Sequence, residues 1–107
     1  MLFEWTGTIK HIVNRTGKGT VNITPTENIS KGIMFLACAR NTTIAEPTVT
    51  TSSGTATLLS SVLAPSSVSD VQMTVYAYEI SNVTTSDTIT ISGTEANNAQ
   101  GCMLFKL

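Results

Sequence analysis

Charge is what this 107-residue chain has least of, with acidic and basic residues together supplying 12% of it. A solvated disordered tail needs high net charge and few apolar groups, whereas hydrophobic residues here reach 41%. The six cations, Lys10, Arg15, Lys18, Lys31, Arg40 and Lys106, are scattered, and a phosphate backbone wants them clustered. Nucleic acid is therefore not an expected partner. A net charge of −1 gives weak self-repulsion, which permits many copies to pack closely.

Long hydrophobic runs are missing too. The longest, Ile33 to Ala39, falls far short of the ~20 residues that a membrane-spanning helix needs. Glu4 interrupts the opening stretch and no apolar core follows a basic start, so no signal peptide is read. The expectation is a protein made in a cytoplasm that stays soluble, or leaves by lysis or within an assembly.

Catalytic side chains are equally sparse. Acid–base chemistry calls for a positioned histidine or a carboxylate pair. His11 is the single histidine, at an inward strand position, and reads as structural. The seven acids, Glu4, Glu27, Glu46, Asp70, Glu79, Asp87 and Glu95, occupy seven separate segments, and no local spacing pairs them. Gly17-Lys18-Gly19-Thr20 lacks the upstream glycine and following helix of a phosphate-binding loop and reads as a turn. No serine sits in a nucleophile-elbow sequence. The two cysteines, Cys38 and Cys102, lie in apolar segments and read as buried thiols, with a disulfide left open and zinc unsupported. No enzyme, metal or cofactor is expected.

What the chain does have is Thr and Ser, which together make up more than a quarter of it. Thr is β-branched and suits a pleated, half-exposed surface better than a helix. Period-two alternation accompanies it from end to end, punctuated by turn residues. Phe3, Trp5, Ile9, His11 and Val13 alternate with Glu4, Thr6, Thr8 and Lys10. Asn14 to Gly19 then reads as a turn into Thr20–Thr24, with Val21 and Ile23 inward, so the first two strands should form a hairpin. Pro25 to Gly32 reads as a loop, with one helical turn near Thr26 to Ser30. Ile33 to Arg40 is continuously apolar before Arg40, which predicts a central strand covered on both faces.

Beyond it come a Thr-rich strand after Pro47, a strand from Thr55 to Leu63, and one from Val71 to Ile80. In that last strand Val71, Met73, Val75 and Ala77 alternate with Gln72, Thr74, Tyr76 and Tyr78. Thr88 to Ser92 and a terminal strand, Cys102 to Leu107, complete the series. About eight short antiparallel strands and no helix predict a single all-β domain, residues 1–107, folded as a β-sandwich of Ig-like or jelly-roll-like type.

Function is then sought on the outside. Tyr76 and Tyr78, two residues apart, would present neighbouring rings if their face points outward, to a surface glycan or a protein copy; core burial is the competing reading. Trp5 reads as core. Glycosylation-type triplets at Asn14, Asn22, Asn28, Asn41 and Asn82 read as turn and surface polar groups. The loops Asn41 to Glu46, Ser52 to Gly54 and Gly93 to Gln100 are candidate docking elements. The candidate contact surface is accordingly Tyr76, Tyr78, Asn41, Ser53, Asn97 and Asn98.

From Gly32 onward the chain resembles small all-β structural proteins of tailed-bacteriophage virions, decoration proteins and the sandwich domains of tails and fibres. The residues that carry this are Gly32 to Arg40, Pro47-Thr48-Val49-Thr50, Val75 to Ile80, Thr88 to Ser92 and Cys102 to Leu107. The resemblance implies a non-catalytic virion subunit, most simply a capsid decoration protein that docks on the major capsid protein or other virion proteins and self-associates. A glycan- or receptor-binding module of a tail or fibre is the alternative it implies.

Overall fold

A computed structural model describes residues 10–18, 20–40, 47–65, 72–92 and 99–107, and no helix occurs among them. The strands are β1 (Lys10–Lys18), β2 (Val21–Ile23), β3 (Ile29–Arg40), β4 (Thr48–Thr51), β5 (Thr55–Pro65), β6 (Gln72–Val83), β7 (Ile89–Ser92) and β8 (Ala99–Lys106). They form two antiparallel sheets. The larger runs β1-β8-β3-β6-β5 and the smaller β2-β7-β4.

Alternation decides what each sheet buries. On the small sheet Val21, Ile23, Ile89 and Ile91 point inward while Asn22 stays exposed and Thr90 half-exposed. On the large sheet the inward rows are Met34, Leu36 and Cys38 of β3, Thr74, Tyr76, Tyr78 and Ile80 of β6, and Cys102 and Leu104 of β8. Apart from Thr74, these side chains form one core cluster, which Ile29 and Val83 extend. The arrangement is sandwich-like, each sheet covering the apolar face of the other.

β3 is the central element, paired with β6 from Ile29 to Arg40 and with β8 from Gly32 to Cys38. Gly32 is required there: an added Cβ would stand 2.6 Å from the Phe105 carbonyl oxygen. The C-terminal residue is tied in as well, its amide donating to the Lys31 carbonyl at 3.0 Å.

Several expectations are corrected. The segment from Asn14 to Lys18 is strand rather than turn, because β8 supplies partners, with Thr16 opposite Gly101 and Lys18 opposite Ala99. Tertiary pairing outweighs the local turn preference of Asn and Gly. The first two strands make no hairpin: β1 pairs with β8 in one sheet and β2 with β7 in the other. The loop after Pro25 ends early, since β3 begins at Ile29, which is buried opposite Val83. β3 is not covered on both faces, for Phe35 is 40% exposed and Ile33 and Ala37 are half-buried.

On β6 register decides between the two readings left open for the tyrosines. Tyr78 sits opposite Met34 and Tyr76 opposite Leu36, and directly paired residues of an antiparallel sheet share a face. The register with β3 therefore carries both tyrosines inward and leaves Val75 outside. Finally, β8 starts three residues before Cys102.

Candidate functional site

Tyr76 and Tyr78 were the leading surface candidates, and the structure places both in the core, 3% and 4% exposed. Their ring centroids lie 6.3 Å apart at 39°, and the Tyr78 hydroxyl donates to the Pro47 carbonyl at 3.5 Å. They wedge the interior open to aromatic thickness and offer no platform to a glycan. Asn41, Asn97 and Asn98 lie outside the described residues, as do Trp5 and the loops 41–46 and 93–98. The backbone of His11 belongs to β1, opposite Phe105, but its side chain is outside the description. The side chains of Cys38 and Cys102 are both buried.

Ser53 is exposed and has a defined task. Its hydroxyl lies 2.7 Å from each carboxylate oxygen of Asp87, joining the β4–β5 turn to the β6–β7 turn. Asp87 also accepts from the Thr84 amide at 2.7 Å and from Ser52 Oγ at 3.3 Å. The Ser52 hydroxyl in turn accepts from the Thr88 amide at 2.7 Å, while Ser52 N–H donates to the Thr88 carbonyl at 3.2 Å. Asn28 joins from the β2–β3 loop, its Oδ1 accepting from Thr85 N–H at 3.1 Å.

This polar knot fixes three loops at one end of the fold. The hydrogen bonds from Ser53 and then from the Thr84 amide hold the Asp87 carboxyl below its ordinary range, against an opposing effect of burial. All its oxygens are engaged in holding loops, so the knot is structural. Two backbone features complete it. Asn82 takes a left-handed φ of 56°, which Asn tolerates better than most residues. Gly54 packs so closely on β6 that a Cβ would collide with the Ser81 carbonyl oxygen.

The surface that stands apart is the outer face of the large sheet. Register aligns its rows across the strands. Phe105 and Ile33 stand together, then Met103, Phe35, Ala77 and Ser60, then Gly101, Ala37, Val75 and Val62. Met103 is 47% exposed and Val62 is 64% exposed, with Phe35 and Val75 close to 40%. Phe35 and Phe105 meet edge to face at 6.1 Å. A shallow cleft of about 280 Å³ opens among Ile33, Phe35, Phe105 and Leu107. The Ile33 row continues to Glu79 on β6, which pairs with Lys31 at 3.6 Å and brings a carboxylate to this face.

A sheet face turned to water is normally polar, and a contiguous apolar face marks an interaction site. The small sheet keeps that rule: its outer face carries Asn22, Thr48, Thr50, Thr90 and Ser92, with Thr90 Oγ1 donating to Asn22 Oδ1 at 2.9 Å. Sequence reasoning missed the apolar face because it took the strand that carries Phe35 to be covered on both sides. The signal was there, in the unbroken apolar run of β3 facing apolar residues on both neighbours.

Among the described residues no three His, Cys, Asp or Glu side chains converge into a metal-binding group. No helix of the described residues is long and apolar enough to cross a membrane. Compared with protein-family models, curated proteins and solved structures, the chain matches none.

Proposed function

We propose that this chain is a non-catalytic structural subunit of a bacteriophage virion, a capsid accessory protein that works by being held against other protein. The observation that carries this reading is the contrast between its two outer faces. One exposes Phe35, Met103, Val75 and Val62 side by side, while the other is covered by hydroxyl and amide groups. Such a molecule suits burial on one side and water on the other. The resemblance of its strand pattern to virion proteins supplies the kind of assembly.

The strand order supports a jelly-roll reading of the sandwich. In an eight-stranded jelly roll the first strand lies beside the last, the third beside the sixth and the second beside the seventh. The pairs β1–β8, β3–β6 and β2–β7 fit that scheme. β5 departs from it by joining β6 instead of staying beside β4. The lattice contacts in this reading come from strand edges and from the Ser52–Gly54 turn, which the Asp87 knot holds in one conformation.

Mass spectrometry of purified particles tests the proposal. The chain should be present in stoichiometric amounts, and its absence ends the reading. Co-sedimentation of the purified protein with empty shells should likewise carry it into the pellet.

A further inference from the structure

We infer that the apolar outer face of the large sheet is occupied by a second copy of this chain, related by a two-fold axis lying in the interface. The inference names the partner of the face on which the proposed function rests. It follows from how large and small side chains are distributed there. On each of four adjacent strands the two outward residues near the centre form a large–small pair. They are Met103 and Gly101 on β8, Phe35 and Ala37 on β3, Val75 and Ala77 on β6, and Val62 and Ser60 on β5.

The order of these pairs matters. On β8 and β3 the large residue lies in the Phe35 row and the small one in the Ala37 row. On β6 and β5 the order reverses, with Ala77 and Ser60 in the first row, Val75 and Val62 in the second. An axis running across the strands between the two rows turns each strand over onto its own counterpart and exchanges the rows. Phe35 of one copy then rests on Ala37 of the other, Met103 on Gly101, and Val75 on Ala77. Every bulky side chain meets a hollow, as a self-complementary two-fold interface requires. Two sheets stacked this way stand ~10 Å apart with strands within ~30° of each other, the ordinary packing of twisted sheets.

The area comes close to what such a contact needs. Four strands at ~4.8 Å spacing and about seven residues of ~3.4 Å rise give a plan area of about 450 Å² per copy. Burying both copies removes about 900 Å² before side-chain relief is added, against the ~1,000 Å² that marks a specific interface. The net charge of −1 opposes the approach only weakly. Glu79 stands in the row beside the paired ones, opposite Ile33, and its ion pair with Lys31 offsets the charge that it brings to this face. An interface at this lower bound suits a weak, reversible dimer.

Sedimentation equilibrium of the purified chain, from about 1 to about 100 µM, tests it. A monomer–dimer equilibrium is expected. Phe35→Ala and Ala37→Phe should each weaken it about tenfold or more, because each change is repeated across the axis. The double variant, carrying both substitutions, should recover the dimer, since the axis again mates large with small. Val75→Lys, at an exposed position that tolerates charge in the monomer, should abolish association while leaving the circular dichroism spectrum unchanged. A wild-type chain that stays monomeric throughout, a dimer indifferent to Phe35→Ala and Val75→Lys, or a double variant no tighter than the single ones would overturn the inference. None of these outcomes touches the virion reading, which stands or falls on particle content. A dimer of a chain missing from particles would sink that reading and leave this one.

Discussion

The outer faces of the two sheets are built from the same strand logic and come out chemically opposite. On the small sheet each buried residue alternates with a polar one, as in Val21-Asn22-Ile23 and Ile89-Thr90-Ile91. On β3 the buried Met34, Leu36 and Cys38 alternate with Ile33, Phe35 and Ala37, so the strand is apolar on both sides although only one side is covered. Burial on the inner face is explained by the fold, whereas the outer face of β3 is apolar with no cover among the described residues. The difference teaches that alternation marks the covered face on the small sheet and fails to mark it on β3.

The comparison breaks most visibly on a single strand. Leu36→Ala removes a fully buried side chain and should cost about 3 kcal/mol, whereas Phe35→Ala, next to it, should cost the monomer under about 1 kcal/mol. Urea unfolding at low protein concentration measures both, and equal losses would mean that the two faces are equally buried. Gly54→Val should rank close behind Leu36→Ala, because its side chain would be driven into the β6 backbone where the chain passes from the small sheet to the large one. A melting temperature lower by several degrees is the expected reading.

Asp87 bears on how the loops are held at that end. Its folded pKa lies below the unfolded value, so its contribution is complete above the unfolded carboxylate range and is lost as pH falls through the folded pKa. Stability measured from neutral pH downward should decline over that acid window. Asp87→Asn should remove this part of the pH dependence, and an unchanged slope would show that another group is responsible. The smallest effects belong to Thr74 and Lys31. The buried Thr74 hydroxyl has no hydrogen-bond partner among the described residues, so Thr74→Val should leave stability unchanged or raise it by up to about 1 kcal/mol. Lys31→Ala should change it by under about 0.5 kcal/mol, since its ion pair is exposed to water.

How much of this was legible beforehand depends on whether a residue's fate was set locally. Val21 and Ile23 read correctly because a three-residue strand with one polar residue between two aliphatic ones has one sensible way to face. Asn82 to Asp87 reads as a turn from its residue types, and the structure starts that turn later, after Val83, where Asp87 accepts from the Thr84 amide. Tyr76 could not be placed locally, since Val75 and Tyr76 are both apolar enough to be inside and the choice fell to the pairing with Leu36. Segment 14–18 misled for the same reason, because its partner β8 lies over eighty residues further along the sequence. The apolar outer face was legible only in part: β3 shows it as an unbroken apolar run, but its rows are assembled from β3, β5, β6 and β8, and no one strand shows them.

One feature of the sheet order bears on how the molecule comes into being. β8 lies between β1 and β3, so this sheet closes only through pairings between residues far apart in the sequence. Until β8 docks, β1 lacks its partner in that sheet and β3 keeps one edge open. Pairings of such long range are slow to form, so docking of β8 should be a late step of folding.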